Sequence, residues 1–207
     1  MNTIGNTLEF VMPIMSSIRK LVFAAALFFG LSSVAIAQKD LPQAIVTSNR
    51  NLLIFQGHNL YLTSPGKPEA FHVINVSEDL HRAMSTASTV FFPESRSLNF
   101  AGKEYVLIII SHPSSSQPQG FCGAGEEDVL YVAELGQRMV ETRYKSLINS
   151  CLKNIELESD GTASPFKSIA WTSSPAGFRV AWLSDAQGAE SVQTYKIDAG
   201  KFMLLGR

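Results

Sequence analysis

The chain has 207 residues, of which 45% are hydrophobic and 17% are charged, and its formal net charge is −1. Nucleic acids and anionic membrane surfaces both require a concentrated basic surface, which a chain of this charge balance does not offer. We therefore expect a folded protein with no nucleic-acid partner.

The N-terminal segment has the layout of a secretory signal peptide. Arg19 and Lys20 precede an uncharged run, Leu21–Val34, and Ala35-Ile36-Ala37 follows as an A-x-A cleavage site. A membrane anchor is the alternative, but 14 residues are fewer than the roughly 20 that a helical span needs. We predict cleavage after Ala37, export to the periplasm or the medium, and no stable membrane anchor. Met1, Met12 and Met15 are all possible start sites.

Cleavage would leave residues 38–207 as a single domain. Removing Glu9, Arg19 and Lys20 from the 17 basic and 18 acidic residues leaves 15 and 17, a net charge of −2. A domain of this length is large enough to bury its own core.

Short runs of strand-forming residues dominate this domain, and Gly, Pro, Asn or Ser ends each of them. This punctuation predicts a mainly β fold, an antiparallel sheet or sandwich-like meander with at most one or two short helices. The predicted strands are Ala44–Ser48, Leu52–Gln56, Asn59–Thr63, Ala70–Val76, Thr89–Phe92, Ser97–Ala101, Glu104–Ser111, Asp128–Leu135, Met139–Lys145, Cys151–Glu158, Ser168–Thr172, Phe178–Ser184, Val192–Ile197 and Lys201–Leu205.

Hydrophobic patterning predicts which of these strands build the core. Tyr105–Ile110 is apolar on both faces, as expected of a central strand covered on both sides. The last forty residues instead alternate, with Phe178, Val180 and Trp182 on one face and other large side chains at the same period. Ile169, Trp171, Tyr195, Ile197, Phe202 and Leu204 are the further members of this predicted core.

A short helix is predicted after Ser77, which can cap it, because Glu78 and Asp79 would occupy its first turn. Residues 138–157 are ambiguous, since their apolar residues recur at helical spacing. We favour a hairpin with a two-residue turn at Gly136-Gln137, which pairs Asp128 with Lys145 and places Cys122 opposite Cys151.

The two cysteines, Cys122 and Cys151, are predicted to form a disulfide, because an even count in an exported protein is typical of one. The alternative is a nucleophilic Cys122 thiolate with His112 as its base.

Between these features lies the most unusual segment of the chain, HPSSSQPQGFCGAGEED, from His112 to Asp128. A loop held by a disulfide at its base loses less entropy on binding, which favours recognition of a partner. The alternative is a mobile connection without a partner. The predicted partner-binding residues are His112, Ser114, Ser115, Ser116, Gln117, Gln119, Phe121, Glu126 and Glu127.

No catalytic, metal-binding or cofactor-binding pattern accompanies this loop. Its glycines are not followed by a P-loop Lys-Ser/Thr pair, its serines fit no G-x-S-x-G pattern, and the four histidines form no zinc motif. The acidic run Glu126–Asp128 lacks calcium-loop spacing, so we expect a solvated strand entry there.

These observations favour a non-catalytic protein that binds another protein in the cell envelope. Its most specific form is an inhibitor or immunity-type protein that blocks an envelope-targeting enzyme or toxin through the loop. A secreted hydrolase that uses His112 with a serine or Cys122, and a structural component of the envelope, are the alternatives.

Overall fold

The computed structural model describes residues 43–64, 67–117 and 119–205. The predicted signal peptide, its cleavage site and the possible start residues lie outside these residues. The described part is mainly β, with one α-helix, one short 3-10 helix and one disulfide, as the sequence predicts.

The first sheet has four antiparallel strands in sequence order. These are β1 (Ala44–Val46), β2 (Leu52–Gln56), β3 (Asn59–Ser64) and β4 (Lys67–Val73).

The second sheet is the centre of the domain and has the order β5-β10-β9-β8-β6, with β7 paired to β8. Helix α1 (Glu78–Ser85) lies between β5 and β6 in the chain. The strands are β5 (Asn75–Val76), β6 (Thr89–Phe91), β7 (Leu98–Phe100), β8 (Lys103–Pro113), β9 (Glu126–Leu135) and β10 (Met139–Ser150).

The third sheet has the order β11-β13-β14-β15, with β12 paired to β13. A 3-10 helix, Pro165–Ser168, precedes β12. The strands are β11 (Glu156–Leu157), β12 (Ile169–Ser173), β13 (Ala176–Ser184), β14 (Ser191–Asp198) and β15 (Lys201–Leu204).

Strand β8 shows why the central sheet is covered on both faces. Tyr105, Leu107 and Ile109 point into a core shared with the third sheet, while the residues between them point into a core shared with the first sheet and α1. Alternate residues of a strand face opposite sides, so an uninterrupted apolar run fits only between two layers. The prediction of a doubly covered strand at Tyr105–Ile110 is confirmed.

The third sheet supplies its half of the core from the alternating positions predicted in the last forty residues. Phe178 stacks on Tyr195 with ring centroids 4.7 Å apart, and Trp182 donates its indole N–H to the Ile148 carbonyl oxygen at 3.1 Å. Leu204 was predicted in the same core but is 45% exposed, because it lies at the end of the edge strand β15.

The hairpin predicted over residues 128–145 exists, but its register was wrong. Leu135 pairs with Val140, so four residues lie between the first paired residues rather than two. Two bulges in β10 then shift the register further, and Asp128 lies opposite Asn149 instead of Lys145. The strand also runs on to Ser150, so the strand predicted at Cys151–Glu158 is replaced by a turn and the short β11.

Helix α1 forms where the sequence predicts it, with Ser77 at the N-cap position. Its hydroxyl makes no capping bond and instead contacts the Thr142 hydroxyl at 3.1 Å on the central sheet. Leu80 and Met84 are the buried residues of the helix, and both belong to the core shared with the first sheet.

Candidate functional site

The loop between β8 and β9 is shorter than the sequence suggests. His112 and Pro113 still belong to β8, where they pair with Glu127 and Glu126 of β9. Three of the predicted loop residues are therefore strand residues, and the connection itself is Ser114–Gly125. We call this segment the anchored loop.

Backbone hydrogen bonds close the base of the anchored loop and fold its interior. The Ser114 N–H donates to the Gly125 carbonyl oxygen at 2.9 Å, which extends the hairpin by one pair. Further in, the N–H of Gly120 donates to Gln117 and that of Gly123 to Gly120, at 3.1 and 2.9 Å. The described part of the loop is thus a series of tight turns rather than an open excursion.

The predicted disulfide is confirmed. Cys122 and Cys151 are bonded with their α-carbons 5.7 Å apart and a sequence separation of 29. The predicted register made the two cysteines a cross-strand pair, and this part of the prediction is wrong. Cys122 lies in a turn at a φ of +59°, and Cys151 follows the end of β10. Only glycine fits at position 125 beside the bridge, because the Cβ of any other residue would lie 2.8 Å from the Cys151 Cβ.

Glu127 holds the same region together through polar contacts. Its carboxylate accepts hydrogen bonds from the Ser114 hydroxyl at 2.6 Å and the Leu152 N–H at 3.3 Å. Burial raises the pKa of this carboxyl. Hydrogen bonds from Ser114, Ser150 and Leu152, together with the charge of Lys153, lower the pKa by more than burial raises it, so it lies below its ordinary value. Glu127 thereby joins the first residue of the loop to the turn that carries Cys151.

Asp128 lies one residue further along β9, on the opposite face, and is only 1% exposed. Its carboxyl group accepts hydrogen bonds from the Ser111 hydroxyl on β8 and from the Asn149 amide on β10, the latter at 2.9 Å. The expectation of a solvated acidic strand entry is therefore wrong for this residue. A buried carboxyl with donors on both neighbouring strands fixes the three strands under the loop.

The surface above this base is apolar at two points. Phe121, next to Cys122, is 84% exposed, and Leu152, next to Cys151, is 55% exposed. Leu152 was missed in the sequence, although its position beside the second cysteine was a usable signal. Of the other predicted residues, Ser116, Gln117 and Gln119 are exposed, and Ser114 and Ser115 are half-buried.

His112 is not brought together with a nucleophile. Its Nδ1 lies 3.2 Å from the Thr86 carbonyl oxygen after α1, and the Ser114 hydroxyl is engaged by Glu127. Cys122 is held in the disulfide, so its sulfur is not a thiolate. These contacts give no support to a pairing of His112 with Ser114 or Cys122.

Within residues 43–64, 67–117 and 119–205, no three His, Cys, Asp or Glu side chains are grouped so as to hold a metal ion. No helix in that same part of the chain has the length and apolar character needed to span a membrane.

Comparison of the chain with protein-family models, with curated proteins and with solved structures finds no match.

Proposed function

We propose that this protein is an exported, non-catalytic binding protein of the cell envelope, and that it blocks an envelope-targeting enzyme or toxin by docking the anchored loop into it. The observation that carries the proposal is Phe121, which stands 84% exposed directly beside the disulfide. An aromatic side chain that is held out to solvent on a fixed base has the character of a binding hot spot.

The anchoring supports a recognition role over that of a mobile connection. Association is opposed by the loss of loop and side-chain freedom, and a loop already ordered by covalent and hydrogen bonds loses less of it. The anchored loop is tied to the turn after β10 by the disulfide, next to Phe121, and its first residue, Ser114, is tied to β9 by Glu127.

The charge pattern of the loop indicates how it would bind. From Pro113 to Gly125 there is no charged residue, and the side chains are hydroxyls, amides and one aromatic ring. Binding would therefore depend on burial of Phe121 and Leu152 and on uncharged hydrogen bonds rather than on ion pairs. A catalytic cleft lined with carboxylates would not repel such a loop.

The test is affinity capture from envelope extract with the exported, oxidised protein as bait. We expect a lytic enzyme or toxin to be recovered and inhibited, and recovery to fall at least about tenfold with Phe121→Ala, the loss expected of a hot-spot aromatic. Raising the salt concentration from about 0.1 to 0.5 M should change the affinity by less than about threefold, since exposed charges make no large contribution.

Phe100→Ala is the matched control. Phe100 is also an exposed phenylalanine, but it pairs with Lys103 at the other end of β8. Equal recovery with wild type and Phe121→Ala, or equal loss with Phe100→Ala, would contradict the proposal.

A further inference from the structure

The face of the first sheet that points away from the central sheet, which we call the outer face, is apolar. Ile45, Leu53 and Leu60 point into the core, so their neighbours along each strand point outward. Two rows of four residues, in register across all four strands, form this face. One row is Ala44, Ile54, Tyr61 and Val73, and the other is Val46, Leu52, Thr63 and Phe71.

No residue in these two rows is charged, and Thr63, the one member of the second row with a polar side chain, uses its hydroxyl oxygen to accept the Leu52 N–H at 2.8 Å. Tyr61 and Phe71 meet edge to face with ring centroids 5.5 Å apart. Val46, Phe71 and Val73 are 40%, 53% and 54% exposed, whereas Thr63 is 3% exposed and the other members of the two rows are half-buried. Contiguous apolar surface of this kind marks an interaction site on a soluble protein.

The corresponding face of the third sheet shows what a solvent-facing sheet looks like in this protein. Its exposed apolar residues, Leu183, Val192 and Met203, lie among charged ones, because alternation also places Arg179, Lys196 and Asp198 on this face. Lys196 and Asp198 lie 3.7 Å apart as an ion pair. The central residues of β1, β2 and β3 are apolar on both faces, which is the pattern of a sheet that lies between two layers, whereas the edge strand β4 carries the exposed His72 opposite Leu62. In the described part of the chain only one of those layers is present.

We propose that the missing layer is a second copy of this chain, packed outer face to outer face about a two-fold axis. Two sheets pack about 10 Å apart when both faces are apolar and neither carries charges that must be matched. An uncharged face satisfies this condition against itself, and a two-fold axis makes the contact self-complementary and closed.

The area of the outer face indicates the strength of the contact. With strands about 4.8 Å apart and same-face residues about 6.8 Å apart along a strand, the face with its flanking row is roughly 20 Å square. Two such faces would bury on the order of 800 Å² in total, the size of a weak, transient contact rather than of a standard interface. We therefore expect a dimer that dissociates at micromolar concentration.

Sedimentation equilibrium of the full chain as exported, from about 1 to 500 µM, tests this proposal. The wild-type mass should rise toward twice the monomer mass and should do so equally in high salt. Val73→Lys, at the β4 edge of the face, should weaken the dimer at least about tenfold, because it places an unmatched charge within the apolar contact. Val46→Lys, at the other edge of the face, should have the same effect.

Val192→Lys is the matched control, since Val192 is a valine on the outward side of the third sheet and is 62% exposed. It should dimerise like wild type. A wild-type protein that stays monomeric throughout, or a dimer unaffected by both lysine variants, overturns the proposal. So does an outer face that instead binds vesicles of neutral and anionic phospholipid, or another protein, with no self-association.

Discussion

Two carboxyl groups on the face of β9 that meets the third sheet, those of Asp128 and Glu134, are satisfied in opposite ways. Asp128 and Glu134 are separated by Leu130 and Val132, both buried in that core. Asp128 is 1% exposed and is bonded by neutral donors, Ser111 and Asn149.

Glu134 lies at the open end and is bonded by cations. Its carboxylate is 3.0 Å from the Lys103 ammonium and 2.8 Å from the Arg143 guanidinium, and these two side chains are 47% and 32% exposed. At the enclosed end, neutral donors bond Asp128 without bringing a second charge into the core. At the open end, solvated cations bond Glu134. The enclosed end is the one that carries the anchored loop, so rigidity is concentrated beneath the proposed binding surface.

Removal of the disulfide should have the largest effect on the difference in rigidity between the loop end of β9 and its Glu134 end. Replacing both cysteines, Cys122→Ser with Cys151→Ser, opens a closed segment of 29 residues, worth about 3.5 kcal/mol of unfolding free energy in the loop-entropy model. Chemical denaturation should measure the loss, and hydrogen exchange should show the anchored loop losing protection before the Glu134 end. Uniform loss along the central sheet would contradict local anchoring.

Asp128→Ala should have the next largest effect. The Ser111 hydroxyl and the Asn149 amide would be left without their buried acceptor, which costs about 2–3 kcal/mol. Denaturant titration measures this loss, with Asp128→Asn as the variant of the same shape. An Asp128→Ala protein as stable as wild type would show that Asp128 does not fasten the three strands.

Glu127 makes the loop end sensitive to acid. Because its pKa is lowered in the folded protein, the ionised carboxylate contributes stability that is fully present above the unfolded pKa of about 4.3 and is lost as pH falls through the folded pKa. Glu127→Gln should be less stable near neutral pH and should lose less on acidification.

Asp79→Asn is the control for that measurement, because burial raises the pKa of Asp79 while hydrogen bonds from Ser77 and Thr142 lower it more, at a site on α1. Its acid response should leave hydrogen exchange in the anchored loop unchanged. If acid releases the loop equally in wild type and Glu127→Gln, Glu127 is not the group responsible.

The strand pattern was predictable from sequence because alternation is a local property, whereas the register was not. Val140 points into the core shared with the first sheet, but Tyr144 and Ile148 pack in the core shared with the third. A bulge between Thr142 and Tyr144 makes β10 change faces in this way. Apolar residues then recur at helical spacing in an extended strand, which is why residues 138–157 were ambiguous.

Two features of the site could be predicted from its cysteines and its loop composition. The disulfide follows from counting cysteines in a chain that is predicted to be exported, and the exposure of Phe121 fits its place among turn residues. The burial of Asp128 was not predictable, because it depends on a register that places Asn149 beside it. Leu152 is exposed beside the disulfide only because a turn follows β10, and the sequence did not predict that turn.

The smallest effect should come from the open end of β9. Glu134→Gln removes the charge that Lys103 and Arg143 share, but Arg143 keeps its second ion pair, to Glu141 at 2.6 Å. Partly exposed pairs contribute about 0–1 kcal/mol each, so the loss should be under about 1 kcal/mol and should disappear in high salt. Denaturant titrations at low and high salt measure it, and a loss as large as that of Asp128→Ala would remove the contrast between the two ends. If instead Glu134→Gln is nearly silent while Asp128→Ala is costly, one strand face holds both a structural carboxyl and a dispensable one, and enclosure alone distinguishes them.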